Sequence, residues 1–192
     1  MNPLALVEAW LDRAIARAEP LADSMCLATI ADDGTPDSRM VRVRALERRG
    51  LMFFTDRRSP KAAQIHARPR GSGVFFWPTL RQQIRVAGSF EELPPTFSEE
   101  DFRSKTEQQR MAIVCCTQSA QIKSYRSLRH RLTSASEECP TGLAQHCPEH
   151  WTGFLLAPQR IEFFDTRAGR ANRRLVCLRQ SRGGWIARSL EP

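Results

Sequence analysis

Hydrophobic residues recur at two different spacings along the chain. Between residues 4 and 15 they fall on one face of a helix, and Asn2-Pro3 supply an N-cap and a proline suited to the first helical position. Beyond residue 24, short apolar runs alternate with turn residues. We therefore predict an N-terminal packing helix within residues 1–19, followed by a succession of short strands.

The predicted strands are bounded by residues that are typical of turns. The first three are joined by short turns, which indicates an antiparallel meander. Because short strands dominate and a few helices separate them, the sequence predicts an antiparallel barrel with helices outside it. The strands are expected at residues 25–30, 38–46, 51–55, 73–77, 81–90, 151–156, 161–164, 175–178 and 185–187.

Helix start signals lie between these strands. Ser59-Pro60 is expected to open a helix that runs to about Ala67, and Ser98 is expected to cap another. A further helix is predicted at 108–116. Ser119 is expected to cap a basic helix that continues to about residue 132.

Residues 134–150 are rich in Ser, Glu, Pro and Gly, and we interpret them as a long loop. The loop holds Cys139, Cys147 and two histidines, but their spacing does not match a zinc finger or ribbon, so no metal site is predicted. No linker or repeat interrupts the pattern, so one domain is expected over residues 1–192.

Basic residues recur on one predicted strand and near the start of the helix that follows the next strand. Alternation would place Arg42 and Arg44 on one face and the valines between them on the other. Lys61 falls in a first helical turn, where the helix dipole disfavours a cation unless an anion is bound. These cations indicate a phosphate site, with a solvated basic edge strand as the alternative.

Composition narrows the class of ligand. The chain has 192 residues and a formal charge of +8, which suits nucleic acid, an acidic membrane or a phosphorylated small molecule. The basic residues are spread through the chain rather than run together in a tail, and no aromatic-rich RNA-binding signature appears, so we predict no nucleic-acid partner. No apolar run could span a membrane, no secretory signal is visible, and most cysteines lie in apolar runs. We therefore expect a cytoplasmic protein with a small-molecule ligand.

Several separated motifs are specific in their order and spacing, although each alone is weak. Through them the chain resembles the pyridoxine (pyridoxamine) 5′-phosphate oxidase family from its first helix to its last strand. The motifs are Arg39-Met40-Val41-Arg42-Val43-Arg44, Phe54-Thr55, Ser59-Pro60-Lys61, Arg81-Gln82-Gln83-Ile84, Gln118-Ser119, Trp151-Thr152-Gly153-Phe154, Ile161-Glu162-Phe163-Phe164 and Trp185 through Leu190-Glu191-Pro192.

The resemblance implies a mainly β FMN-binding split barrel with flanking helices, which forms a homodimer with FMN at its interface. Lys61 would lie at the phosphate and Gln83 at the isoalloxazine, while Gln118 and Ser119 would come from the other subunit. The implied cofactor contacts are Arg39, Met40, Val41, Arg42, Arg44, Phe54, Thr55, Lys61, Gln83, Gln118, Ser119, Phe164 and Arg174.

The implied substrate site departs from the family pattern. Where the family binds the substrate phosphate with Tyr, Arg and Ser, this chain has Asp101, Lys105 and Gln109, and the family histidine is Asn172. Arg170 and Asn172 are the implied catalytic residues. The implied substrate contacts are Arg44, Asp101, Lys105, Gln109, Arg170 and Asn172.

The resemblance thus implies an FMN-dependent oxidase that takes a hydride from a small phosphorylated or acidic substrate and passes electrons to oxygen. Two alternatives stay open. One is a specialised-metabolite flavin oxidase of the phenazine-biosynthesis type, which aromatises a reduced ring. The other is a non-catalytic flavin- or B6-binding protein.

Overall fold

The computed structural model describes residues 2–47, 49–138, 145–166 and 172–191. The helices are α1 (Pro3–Ala16), α2 (Pro60–Ala67), α3 (Pro95–Arg103), α4 (Glu107–Cys115) and α5 (Tyr125–Glu138). The strands are β1 (Ser24–Ile30), β2 (Pro36–Arg42), β3 (Ala45–Glu47), β4 (Gly50–Asp56), β5 (Arg70–Trp77), β6 (Gln82–Glu92), β7 (Trp151–Asp165), β8 (Arg173–Arg179) and β9 (Trp185–Leu190).

The long strand β7 organises the sheet. Its first half pairs with β4 and its second half with β8, while β6 pairs along most of its other edge. A register shift at Ala87/Gly88 of β6 marks the place where the two halves diverge. The strand order is β2-β1-β5-β6-β7-β4-β3, with β8 and β9 branching from β7, and every pairing among these strands is antiparallel.

A hydrophobic core fills the concave side of the curled sheet, and α1 covers part of it. Leu4, Val7, Leu11 and Ala14 of α1 are buried, as the helical spacing predicted. Large side chains of the sheet, such as Phe53, are fully buried, and each contributes about 1.5–3 kcal/mol relative to exposure. The predicted antiparallel split barrel with flanking helices is therefore confirmed.

Two of the predicted helix starts are wrong. Helix α3 begins at Pro95 rather than at Ser98, because proline at the first helical position sacrifices no hydrogen bond. Helix α5 begins at Tyr125 rather than after Ser119. Ser124 and Ser127 exchange hydrogen bonds at its start, with Ser127 N donating to Ser124 Oγ at 3.1 Å.

The predicted strand 38–46 is interrupted. Strand β2 ends at Arg42, after which Val43 N donates to Asp23 O and Arg44 N donates to Met52 O, both at 2.8 Å. The prediction that Arg42 and Arg44 share one strand face is therefore wrong. Residues 134–138, assigned to the long loop, extend α5, and residues 139–144 lie outside the described part of the chain.

No helix in the described ranges is long and apolar enough to cross a membrane. Within the same ranges, no cluster of three or more histidine, cysteine or acidic residues is arranged to hold a metal ion. Cys139, from the group considered for zinc, lies outside the described residues, and His150 Nε2 is 3.0 Å from Ile113 O.

Candidate functional site

A buried cation lies at the start of α2. The turn after β4 delivers Ser59 as the N-cap and Pro60 as the first helical residue, as the sequence predicted. Lys61 follows in the first turn and is 6% exposed. Its Nζ donates to Thr55 Oγ1 and to Gln118 Oε1, at 3.1 Å each, so the ammonium group faces neutral oxygens.

The electrostatic surroundings of Lys61 disfavour its charge. Burial lowers the pKa of Lys61, and the positive charge of Arg39 lowers it further, while Asp56 and Asp37 raise it by less. Lys61 and Arg39 repel each other, and an anion bound beside both of them at the helix N-terminus would relieve that repulsion. The arrangement is therefore suited to a phosphate group.

Arg39 is held in place by three polar side chains. Its guanidinium donates to Thr29 Oγ1 at 2.5 Å, to Gln64 Oε1 at 3.0 Å and to Asp37 Oδ2 at 2.5 Å. Gln64 Nε2 also donates to Asp37 Oδ2, at 2.9 Å. The network links β1, β2 and α2, so it fixes the guanidinium near Lys61.

A contact with Asp56 holds Gln118 beside Lys61. The main-chain N of Gln118 donates to Asp56 Oδ2 at 3.2 Å, and the Gln118 side-chain oxygen accepts from Thr55 Oγ1 at 2.7 Å. Burial raises the pKa of Asp56, but hydrogen bonds from Arg58 and the Gln118 main chain outweigh it and lower the pKa. Gln118 thus joins Thr55 and Lys61 of its own chain. That the other subunit supplies Gln118 to the cofactor stays a prediction.

Ser119 follows in an exposed turn with a φ of 68°, a left-handed conformation that is uncommon for serine. Ala120 N donates to Thr117 O at 3.2 Å and closes this turn.

Phe54, also predicted at the cofactor, directly precedes Thr55 on β4, so its side chain lies on the opposite face of that strand. An added Cβ on the facing Gly153 would be 2.7 Å from the Phe54 ring, so the ring packs closely over that glycine.

The side chains after Arg39 in the Arg39–Arg44 stretch do not all point to the same face as Arg39. Val41 shares the inward face with Arg39 and packs against the core, whereas Met40 is 57% exposed on the opposite face. Arg42 lies on that exposed face and pairs with Asp23 at 2.7 Å. The structure therefore brings Arg39 to the Lys61 group, but not Arg42.

A second group lies toward the other end of β7. Gln83 of β6, Phe164 of β7 and Arg174 of β8 stand opposite one another in register. Phe76 of β5 extends this row and is 63% exposed. Since residues opposite in register share a sheet face, the row presents an amide, a guanidinium and aromatic rings side by side.

The implied substrate residues form an internal ion cluster. Asp101 has a side chain that is 5% exposed, and it accepts from Arg44 Nε at 3.1 Å and pairs with Lys105 Nζ at 3.0 Å. Trp151 Nε1 donates to the same carboxylate at 2.9 Å, and Lys105 lies 5.3 Å from the Trp151 ring centroid. The two cations expected to meet a substrate anion therefore meet an anion of the protein.

The other implied substrate residues lie apart from this cluster. Gln109 forms the capping box of α4, in which Thr106 N donates to Gln109 Oε1 at 3.1 Å, so its amide has a local structural use. Asn172 is exposed and borders a cleft of about 650 Å³ that Trp10 and Arg174 also line. Arg170 lies outside the described residues.

Four important residues were not singled out from the sequence. Gln64 lies three positions after Lys61, on the same face of α2, and this spacing is the signal that could have identified it. Asp37 and Asp56 position site residues through contacts between separate elements, and Glu162 does so within the sheet. No local pattern marks these three.

The fold and these two residue groups define a split-barrel protein with a buried cation at the start of a helix. A model of pyridoxamine 5′-phosphate oxidase matches residues 11–139, and a model of the pyridoxine 5′-phosphate oxidase C-terminal dimerisation region matches residues 151–192. The chain belongs to the pyridoxamine 5′-phosphate oxidase family.

Relatives agree with this assignment. A pyridoxine/pyridoxamine 5′-phosphate oxidase of Pseudomonas putida (strain W619) is 36% identical over 193 residues, which cover 100% of this chain and 89% of the relative. The oxidase of Microcystis aeruginosa (strain NIES-843 / IAM M-2473) is 34% identical over 191 residues, with the same coverage of 100% and 89%.

Two solved structures share the fold. PhzG from Burkholderia lata 383, solved in complex with tetrahydrophenazine-1-carboxylic acid, has a TM-score of 0.91 at 24% identity and covers 100% of this chain and 93% of its own. A pyridoxamine 5′-phosphate oxidase-related, FMN-binding protein from Nostoc punctiforme PCC 73102 has a TM-score of 0.81 at 20% identity, covering 100% and 98%.

Proposed function

We propose that this protein is an FMN-dependent oxidase that takes a hydride from a small acidic substrate and passes the electrons to oxygen. The observation that carries the proposal is the buried Lys61 at the start of α2, close to Arg39. Among the described contacts Arg39 pairs with Asp37, whereas the Lys61 ammonium donates to neutral oxygens and has no anion in direct contact. A phosphate monoester would supply that anion.

The donors at this place suit the phosphate of FMN. Lys61 and Arg39 would provide charge, and the Thr55 hydroxyl and the side-chain amide of Gln118 would provide hydrogen bonds. The chemistry supplied by bound FMN is acceptance of a hydride from the substrate, with oxygen as the final electron acceptor. The chain itself supplies charge, orientation and shielding from water.

The flavin ring would meet Gln83, Phe164 and Arg174, but a second copy of the chain is needed to bring them there. Thr55 stands opposite Thr152, whereas Gln83 stands opposite Phe164. Twelve residues of β7 separate these positions, which is about 40 Å along the strand and much longer than one mononucleotide. We therefore propose a homodimer in which one copy holds the phosphate and its partner the ring.

The match of residues 151–192 to a dimerisation region supports this arrangement, because that segment contains both Phe164 and Arg174. The contacts at one site would then combine β4 and α2 of one protomer with β6 to β8 of the other. Phe54, Ser119 and Val41 stay proposed cofactor contacts near the phosphate group, while Met40, Arg42 and Arg44 are less directly placed.

At the proposed substrate site, Asp101 limits how much negative charge a substrate can bring to Arg44 and Lys105. Arg44 and Lys105 bring two positive charges and Asp101 one negative charge, so the cluster has a net charge of +1 when all three are ionised. A substrate carboxylate would neutralise that charge, whereas a phosphate dianion would exceed it and face Asp101. We propose Asn172 and Arg170 as the substrate contacts beside the ring.

This charge balance favours a second candidate over a vitamin B6 oxidase. A specialised-metabolite oxidase that aromatises a reduced ring would act on a monoanionic acid, for which a net charge of +1 is sufficient. A protein that binds flavin or a B6 compound without turning it over is the third possibility, and it predicts that no donor reduces the flavin.

The test is the visible spectrum of the purified, FMN-loaded protein, recorded without oxygen before and after pyridoxine 5′-phosphate is added. Bleaching of the flavin absorption band by pyridoxine 5′-phosphate, with recovery of the band in air, would establish a B6 oxidase. Bleaching by a reduced cyclic carboxylic acid, but not by pyridoxine 5′-phosphate, would support the second candidate. Failure to bind FMN would refute the proposed function.

A further inference from the structure

A buried carboxylate lies one step along the sheet from the proposed ring contacts. Glu162 is two residues before Phe164 on β7 and therefore shares its face of the sheet. Its side chain is 2% exposed, although that face carries exposed residues such as Phe76. Three arginine side chains form ion pairs with this carboxylate.

Three strands supply these arginines. Arg174 of β8 donates from Nε to Glu162 Oε1 at 2.7 Å, and Arg160 of β7 donates from Nη2 to Oε2 at 2.7 Å. Arg85 of β6 lies directly opposite in register, with Nη1 3.6 Å from Oε1. Each carboxylate oxygen therefore has its own short charged partner.

The cluster keeps Glu162 ionised. Burial raises the pKa of Glu162, but the hydrogen bond from Arg174 and the charges of Arg85, Arg174 and Arg160 outweigh burial and lower it. Glu162 is thus a fixed anion rather than a proton donor. Its three partners have side chains that are 30–50% exposed, so they can move more freely than the carboxylate that anchors them.

Among the three arginines, Arg174 is the one that stands in the ring-contact row, opposite Phe164. Its bond to Glu162 uses the Nε hydrogen, which leaves the four Nη hydrogens outside this contact. A guanidinium anchored at Nε has a defined plane, whereas an unanchored one samples several rotamers.

We propose that Glu162 is a positioning residue that fixes the Arg174 guanidinium for contact with the flavin ring. This inference rests on the proposed binding of FMN. Arg160 offers a matched control, because it makes an ion pair of the same 2.7 Å length with the other oxygen of the same carboxylate but lies farther along β7 from the row.

The experiment compares Glu162→Gln, Arg174→Ala, the double variant and Arg160→Gln. FMN affinity is measured by flavin fluorescence, and the absorption spectrum and reduction potential of bound FMN are recorded. Glu162→Gln and Arg174→Ala should each weaken FMN about tenfold and shift the spectrum alike, and the double variant should be no weaker than either by more than about twofold. Arg160→Gln should stay within about twofold of the original protein.

Two results would overturn the inference and leave Glu162 a structural residue. One is a loss of FMN affinity in the double variant that equals the sum of the two single losses. The other is a loss of FMN affinity in Arg160→Gln as large as that in Glu162→Gln. If Glu162→Gln does not fold, Arg174→Lys decides the matter. That variant keeps the charge but not the anchored plane, so it should bind FMN as poorly as Arg174→Ala, and normal binding would refute positioning. Absence of FMN binding by the original protein would instead refute the proposed function.

Discussion

Replacing Lys61 with methionine separates the two roles that a buried cation can have. Lys61 is 6% exposed, and its hydrogen-bond acceptors are the neutral Thr55 Oγ1 and Gln118 Oε1, at 3.1 Å each. Because burial and Arg39 both lower its pKa, the protein holds the charged form at a cost. Methionine keeps the length of the side chain, so the free energy of unfolding without flavin should change by less than about 1 kcal/mol.

FMN binding should respond differently. A hydrogen bond to a charged group contributes about 1.5–3 kcal/mol, and each 1.4 kcal/mol corresponds to about tenfold in affinity. Loss of the Lys61 ammonium should therefore raise the Kd for FMN about 10- to 150-fold. Riboflavin has the same ring system but no phosphate, so its Kd should change by less than about twofold.

Fluorescence titrations with FMN and riboflavin, together with urea unfolding of the flavin-free protein, measure all three quantities. The control is Arg57→Met, which removes the same charge from the turn just before α2, where Arg57 is 52% exposed and paired with Glu92. It should change the Kd for FMN by less than about threefold. If Lys61→Met lost as much affinity for riboflavin as for FMN, or if its free energy of unfolding without flavin fell strongly, a role of Lys61 in phosphate binding would be refuted.

FMN affinity should fall as pH rises through the pKa of Lys61, because only protonated lysine attracts phosphate, and burial and Arg39 hold that pKa below its ordinary value in the free protein. The same pH series with Lys61→Met should show no such step. Asp101→Asn should strengthen binding of inorganic phosphate at Arg44 and Lys105 about tenfold, measured by calorimetry, and unchanged affinity would show that Asp101 does not compete with anions. Phe163→Ala should lower the free energy of unfolding by about 3–5 kcal/mol in urea, since the ring is 3% exposed, and a loss below 1 kcal/mol would contradict its place in the core.

Local chemistry was sufficient to predict α1, α2 and most of the strands. Asn2 and Ser59 each precede a proline, and both helices begin there, because a cap and a preset φ act within a few residues. The alternation of buried and half-buried residues in β1 is likewise a property of consecutive positions. The same local logic placed Lys61 in a first helical turn, where its charge pointed to an anion.

Where local sequence signals allowed more than one helix start or strand end, tertiary contacts determined which one formed. Several residues near Ser119 could begin a helix, and the chain instead uses Ser124, while the preceding segment is held by Gln118 against Asp56. Arg44 was expected to extend a strand, but its main chain pairs with Met52 and its side chain with Asp101.

The sequence by itself determined the family, the split barrel and the chemical types available to the site. Only the tertiary structure decided which residues meet. Asp101 pairs with Arg44 from 57 positions away, and Glu162 anchors Arg174 of the neighbouring strand. Such pairings depend on strand register and on the path of β7, which are fixed by packing of the whole sheet rather than by neighbouring residues.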